Sequence, residues 1–201
     1  MEKRKSDRRI ERTKKRLSGA LISLMAERRY DEITVQDILD RAEAGRATFY
    51  QHFRSKEDLL GTGIEQLRGH LLDEWKSASA RGGPGAGRLG FSLPLFRHFD
   101  SHRHLYRALV GGEGFVVVER MMRRMLATLL RQELQPRRAT GRHEASTDIA
   151  LEYVTGAMWA VVSWWMQCRQ PPSPETMDAL FRELTLPALD AALRMHSATY
   201  A

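Results

Sequence analysis

Two apolar pairs, Ile38 with Ala42 and Phe49 with Phe53, constrain this chain more than any other feature. Members of each pair stand four residues apart, so each pair marks the inward face of a helix. Between them lies Glu43-Ala44-Gly45, room enough only for a tight turn. Thr34 precedes Asp37 by three residues. In that pattern a hydroxyl accepts a backbone N–H while the acidic side chain reaches back to the cap. Residues 33–59 therefore predict two short helices, the second over Arg46 to Phe53. A third is opened by Ser55, with Asp58 as its capping partner.

The outer face of the second helix carries Arg46, Thr48, Tyr50, Gln51 and His52. A helix-turn-helix presents such a face to a major groove. Arginine spans guanine O6 and N7, and glutamine does the same for adenine. Thr48 and the methyl of Ala47 suit a thymine methyl. Tyr50, His52 and Lys56 suit phosphate oxygens, which position a module without reading sequence. The same side chains would also suit a solvated corner between two helices of an all-helical protein.

The block TVQDILDRA…GRATFYQHFRSKEDLL resembles the DNA-binding head of the tetracycline-repressor (TetR/AcrR) family of bacterial regulators. Thr48-Phe49-Tyr50, His52-Phe53 and Ser55-Lys56 carry the resemblance, together with a basic helix upstream. It covers about the first sixty residues; the remainder is similar only in length and helical character. The resemblance implies an all-α fold with a three-helix head over residues 1–60 and a larger helical ligand-binding and dimerisation domain over 61–201. It also implies that Thr34, Gln36, Arg46, Ala47, Thr48, Tyr50, Gln51, His52 and Lys56 form the operator-contacting set. Glu43 stands where the family commonly has glycine in the turn, and Arg29 where it has glycine after the first helix. Both positions are thus expected to need φ > 0, which is costly for a residue with a Cβ.

Charge agrees with a polyanionic partner. The 201 residues carry a net +7, and the isoelectric point is near 9.9. Residues 1–16 alone hold nine basic and three acidic side chains, so the excess sits beside the helix-turn-helix. Hydrophobic content of 42% supports a core. A single cysteine, Cys168, excludes an intramolecular disulfide framework and fits a reducing compartment. The charged start MEKRKSDRR is no signal peptide, and the apolar run Gly156 to Met166 is too short to span a membrane. A bacterial cytoplasmic location is expected, with no membrane partner and no cofactor.

In chain order, residues 1–9 read as a mobile basic arm and Asp7 to Arg28 as the first helix. Its stripe is Ile10, Leu17, Leu21 and Leu24; Arg12, Lys15 and Arg16 face water or phosphate. Tyr30 pins the following loop. The helix from Ser55 reaches about Ser77, with Leu59, Leu60, Ile64, Leu67, Leu71 and Trp75 inward. It would enter the second domain as a rod and serve as the lever between domains. Residues 81–87 end it. Leu89 to Val110 forms one or two short helices, and Gly111, Gly112 and Gly114 break the chain again.

Within that segment His98 and His102 are four apart and could face one metal. No Cys or Glu follows at ligand spacing, so surface histidines with a capping Asp100 are expected and no metal. Phe115 to Leu134 is a helix whose Met121, Met122 and Met125 suit an adaptable pocket wall. With Phe96, Phe99, Tyr106 and Trp159 they make a candidate pocket for a small apolar or aromatic effector; ordinary core packing reads them equally well. Pro136 to Arg142 is a basic loop.

Thr147 to Cys168 is apolar around nearly its whole circumference, which an ordinary surface helix does not tolerate. Pro171-Pro172 ends it. Ser173 caps the final helix, Pro174 takes its first position, and Pro187 kinks it. Two such helices from each of two chains would form a four-helix bundle, with Gly156 allowing close approach. Tyr153, Ala157, Val161, Trp164, Trp165, Leu180 and Leu184 are the expected homodimer interface.

The expected function is a ligand-responsive transcriptional regulator, a repressor, that binds a palindromic operator of double-stranded DNA as a dimer and releases it on binding effector. It is not expected to be an enzyme. The alternatives are a basic helical protein that binds DNA without sequence preference, and a metal-dependent enzyme built on His98 and His102.

Overall fold

The computed structural model describes residues 2–82, 87–109, 113–134 and 143–194. These contain helices and connecting turns and no strand, so the fold is all-α. The helices are α1 (Glu2–Glu27), α2 (Val35–Ala42), α3 (Arg46–Tyr50), α4 (Lys56–Arg81), α5 (Ser92–Ser101), α6 (Arg103–Leu109), α7 (Glu113–Leu134), α8 (His143–Gln167) and α9 (Pro174–Arg194). The expected basic loop over 136–142 and Gly111 and Gly112 lie outside the described residues.

The chain divides into two compact units. The first holds Met1–Leu67 and His104–Met121; the second holds Arg68–Arg103 and Met122–Ala201. In the first, α1 packs across α2, and α2 meets α3. Leu17, Leu21, Leu24 and Met25 bring one stripe of α1 into the core, against Ile38, Leu39 and Ala42. Phe49, Phe53, Leu59 and Leu60 complete it. Ile10, the outermost member of the expected stripe, is half-buried. Gly114 suits a tight contact: a Cβ there would stand 3.0 Å from the Met25 carbonyl oxygen, so α1 or the start of α7 would have to give by a few tenths of an ångström.

In the second unit α9 packs on both α5 and α8. Phe96 is its hub, with ring centroids 5.5 Å from Trp165 and 6.0 Å from Phe181. Phe99 meets Trp159 at 6.2 Å. Met122, Met125, Leu126 and Leu129 of α7 are buried too. At the entry to α5, Leu89 takes a left-handed backbone at φ 56°. That turn is tied down by polar groups: the Leu89 N–H donates to Glu133 at 2.9 Å, and its carbonyl accepts from the Ser92 N–H and hydroxyl. Ser92 also bonds Asp178 of α9, and burial pushes the carboxyls of Glu133 and Asp178 above their ordinary range.

Several boundaries differ from expectation. The N-terminal residues are no arm, because α1 begins at Glu2. Lys, Arg and Glu lose little rotamer freedom in a helix, and nothing in that segment breaks one. Arg29 stands at φ −57°, so it needs no glycine-like conformation; the chain leaves α1 through an extended residue into a 3₁₀ turn at Tyr30–Glu32. The helix α4 runs on to Arg81 and α8 starts at His143, four residues before Thr147. Gly114 lies inside α7 and is no break. Asp100 belongs to α5 and pairs with Arg103 at 3.0 Å instead of capping. The Ser173 cap is present, its hydroxyl accepting the Thr176 N–H at 3.2 Å ahead of Pro174.

Candidate nucleic-acid interface

The site begins with the cap on α2. Thr34 Oγ1 accepts the Asp37 N–H at 3.2 Å, and Asp37 Oδ2 accepts the Thr34 N–H at 2.7 Å. Both halves of the expected capping box are therefore made. The Thr34 hydroxyl beside Asp37, aided by the Thr34 N–H and by Arg28 at 3.0 Å, holds that carboxyl at about 2. So Thr34 is committed to the cap. Gln36, exposed in the first turn of α2, donates to Asp40 at 2.8 Å.

The helix then turns through Glu43, which takes the left-handed conformation at φ 47°, ψ 51°. This position does demand what glycine supplies most cheaply, as the family pattern suggested. A left-handed residue with a Cβ costs roughly 1–2 kcal/mol. Glu43→Gly is accordingly expected to stabilise the protein by about 1 kcal/mol, seen as a melting temperature about 2–4 °C higher in a thermal scan. Gly45, by contrast, caps α3 in an extended conformation that any residue adopts.

The helix α3 is held from beneath by Phe49, which has no exposed surface. Its ring centroid lies 5.7 Å from Phe53 and 5.3 Å from Tyr50. Arg46, Ala47 and Gln51 are exposed, Tyr50 is 52% exposed, and Thr48 and His52 are half-buried. The structure thus brings Arg46, Ala47, Thr48, Tyr50, Gln51 and His52 onto one short segment. The regular helix ends at Tyr50, with Gln51 and His52 in the following turn, earlier than the expected Phe53.

Lys56 is placed differently from its expected role. Its ammonium donates to the carbonyls of Tyr30 at 2.7 Å, Ile33 at 2.9 Å and Asp31 at 3.3 Å. It also sits 4.4 Å from the Tyr30 ring centroid. Tyr30 in turn donates to Glu57 at 3.1 Å, and burial pushes its hydroxyl pKa up. Lys56 therefore ties the start of α4 to the 3₁₀ turn, and Tyr30 does pin this loop. The second capping box is half made: Ser55 accepts the Asp58 N–H at 3.3 Å, while Asp58 reaches to the Arg54 N–H.

Other basic side chains of the head are also spent internally. Arg41 forms a forked pair with Glu27, both bonds at 2.7 Å. Arg16 donates to the carbonyls of Ala42 and Glu43 at the end of α2. Sequence reasoning left Arg16 to water or phosphate. No local spacing could have shown otherwise, because its acceptors lie 26 and 27 residues away.

A second surface lies on the other unit. Ile149 (68% exposed), Tyr153 (49%) and Trp164 (57%) of α8, with Leu180 (48%) and Leu184 (71%) of α9, form an uncovered set of large apolar side chains. Ala157 and Val161 between them are half-buried. Ile149 was missed as a surface residue. Trp165 must be removed from the expected interface. It is fully buried in its own unit, its indole N–H donates to Pro172 at 3.0 Å, and the Arg103 guanidinium covers its ring at 4.3 Å. A Cβ at Gly156 would lie 3.6 Å from the Arg123 guanidinium, an ordinary contact within the same unit.

The candidate effector residues are divided between the two units. Phe96, Phe99, Met122, Met125 and Trp159 are buried in the second unit, whereas Tyr106 and Met121 belong to the first. The His98 and His102 rings lie 4.6 Å apart, with His102 Nδ1 at 3.0 Å from the His98 carbonyl. Burial, then His102 and His70, push His98 down to about 4. It is no plain surface histidine. Among the described residues no three His, Cys, Asp or Glu side chains are grouped to hold a metal. Among them, too, no helix is long and apolar enough to cross a membrane.

Residues 19–61 match the family described as bacterial regulatory proteins, tetR family, and residues 89–186 match a transcriptional regulator C-terminal region. The chain is 40% identical over 75 residues to a protein of Bacillus subtilis (strain 168) named uncharacterized HTH-type transcriptional regulator YxbF; the match spans 37% of this chain and 20% of that protein. Its fold is similar to that of a TetR transcriptional regulator from Streptococcus agalactiae 2603V (TM-score 0.53, 24% identity, 90% of this chain and 97% of that one). It is similar also to that of the dihydroxyacetone kinase operon activator DhaS (TM-score 0.55, 23% identity, 89% and 97%). With a helix-turn-helix head matched by one family description and most of the second unit by the other, the chain belongs to the TetR family of bacterial transcriptional regulators, a DNA-binding family.

Proposed function

We propose that this regulator is a homodimeric repressor that reads a palindromic operator through α3 and releases it on binding a small apolar or aromatic effector. The observation that carries the DNA reading is the set of groove-sized polar side chains on a helix whose opposite face is fixed by Phe49. Arg46 and Gln51 read base edges, Ala47 and Thr48 touch thymine methyls, and Tyr50 and His52 position the phosphates. Gln36 stands at the edge of this surface. Thr34 and Lys56 support it from within, given the bonds they already make. Two heads related by a two-fold axis then read half-sites about 34–36 Å apart, or a multiple of that.

The uncovered apolar residues of α8 and α9 support the dimer, since such patches mark association sites. The buried cluster of Phe96, Phe99, Met122, Met125 and Trp159 is where an apolar effector would compete with side-chain packing. Helix α4 contributes to both units and is the proposed route of coupling. Coupling of this kind is typically about 1–3 kcal/mol, or roughly 5- to 150-fold in affinity. Cross-linking the two heads at operator spacing should then abolish induction.

The testing experiment is footprinting on the DNA upstream of the chain's own coding region at two salt concentrations. A protected palindrome that survives competitor DNA is the expected result. Occupancy that vanishes with competitor and follows only salt would mean phosphate attraction alone. On the protected site, Arg46→Ala is expected to cost about 1–3 kcal/mol and to relax preference at one base pair, read by competition with single-substituted duplexes. A reporter fused downstream should rise when the regulator is deleted. A fall would make it an activator, as the DhaS protein is named.

A further inference from the structure

We infer that Arg16 of α1 is a positioning residue for sequence reading: it holds the turn that aims α3, and it is not a phosphate contact. The inference rests on the proposed base reading by α3. At the end of α2 the Ala44 N–H bonds the Leu39 carbonyl at 3.0 Å and the Glu43 N–H bonds that of Asp40 at 3.3 Å. That is the usual closure of a helix around a left-handed residue. It leaves the carbonyls of Ala42 and Glu43 beyond the last of these bonds, at the negative end of the helix dipole. The Arg16 guanidinium donates to both, and it lies 3.8 Å from the Glu43 carboxylate.

Glu43 is where this closure is weakest, because its Cβ disfavours the left-handed backbone that the turn requires. Only Ala44 and Gly45 separate it from Arg46, the first residue of α3. A change of backbone angle at Glu43 therefore re-aims the whole reading helix. Both bonds come from one guanidinium nitrogen, Nη2, whose two N–H groups lie in the fixed guanidinium plane and so hold the two neighbouring carbonyls in a set direction. The guanidinium thus offsets a strain that glycine would avoid, and Arg16 and Glu43 work as a pair. Removing Arg16 should blur which bases α3 meets while leaving the count of neutralised phosphates alone.

The test uses the full-length protein, the footprinted operator and a scrambled duplex of equal length, titrated over a range of KCl. A wild type that binds both duplexes alike overturns base reading, and this inference with it. If wild type discriminates, Arg16→Met is expected to lower the operator-to-scrambled affinity ratio about tenfold, with the slope of log K against log[salt] unchanged. Arg16→Met combined with Glu43→Gly should recover most of the ratio, because glycine takes the left-handed conformation unaided. Three results would overturn the inference alone: both duplexes weakening equally with the slope reduced by about 0.9, no recovery in the double variant, or no change at all. Should Arg16→Met not fold, Arg16→Lys decides. A phosphate contact tolerates lysine, whereas a positioning residue loses part of the ratio at unchanged slope.

Discussion

Trp164→Glu combined with Leu184→Glu is expected to yield a folded monomer that no longer protects the operator. The two side chains are 57% and 71% exposed in the single chain, so the substitutions remove no packing from its core. In a two-fold interface each is buried twice, once per copy. Full burial of a large apolar side chain is worth about 1.5–3 kcal/mol. Association also has costs that area does not show, so the net loss is smaller than the sum. A total of about 3 kcal/mol, roughly a hundredfold or more in dissociation constant, is the expected size, and the buried carboxylates add to it. Sedimentation would show the monomer and circular dichroism its intact helices. Operator affinity should fall with dimerisation, because one head alone reads half a palindrome. Retention of the dimer by the double variant would remove α8 and α9 from the proposed interface. Trp165→Glu serves as the contrast: it should unfold the unit, since Trp165 has no exposed surface and packs on Phe96.

Phe49→Ala separates the two surfaces in the opposite sense. Deleting a fully buried phenylalanine costs about 3–5 kcal/mol. That is a large part of the total stability of an ordinary domain, about 5–15 kcal/mol. The loss falls on the small first unit, where Phe49 joins α3 to Phe53 and to the core under α2. The expected protein is still dimeric and mostly helical, yet has no detectable sequence-specific binding. Its α3 region is cut by protease at concentrations that spare wild type. Phe49→Leu, apolar and nearer in volume, should lose far less. If Phe49→Ala binds operator normally, α3 does not need its buried anchor and the proposed reading geometry fails.

The match between sequence and structure was best where partners are close in the chain. The Thr34–Asp37 cap, the Ser173 cap with Pro174 behind it, and the pairs Ile38/Ala42 and Phe49/Phe53 all act within one helical turn. Helical geometry alone fixes such contacts, so spacing suffices to read them. The left-handed turn at Glu43 was legible only through the resemblance, whose pattern has glycine there, while the same expectation at Arg29 failed because the chain leaves α1 by an extended residue.

By itself, then, the sequence determined an all-helical chain, a helix-turn-helix with a polar outer face, and a long apolar helix near the C-terminus. Tertiary structure decided which side chains those elements spend on one another. Arg16 and Lys56 look alike in a charge count, yet both are engaged with carbonyls 23 to 27 residues away. Trp164 and Trp165 are neighbours with equal hydropathy, but successive residues on a helix point about 100° apart. One packs on Phe96 of α5 and under Arg103 of α6 and is buried; the other is left uncovered. A helix that is apolar on every side carries no period to announce which side is which. Only the placement of its neighbours does so, through the surface they cover and the surface they leave.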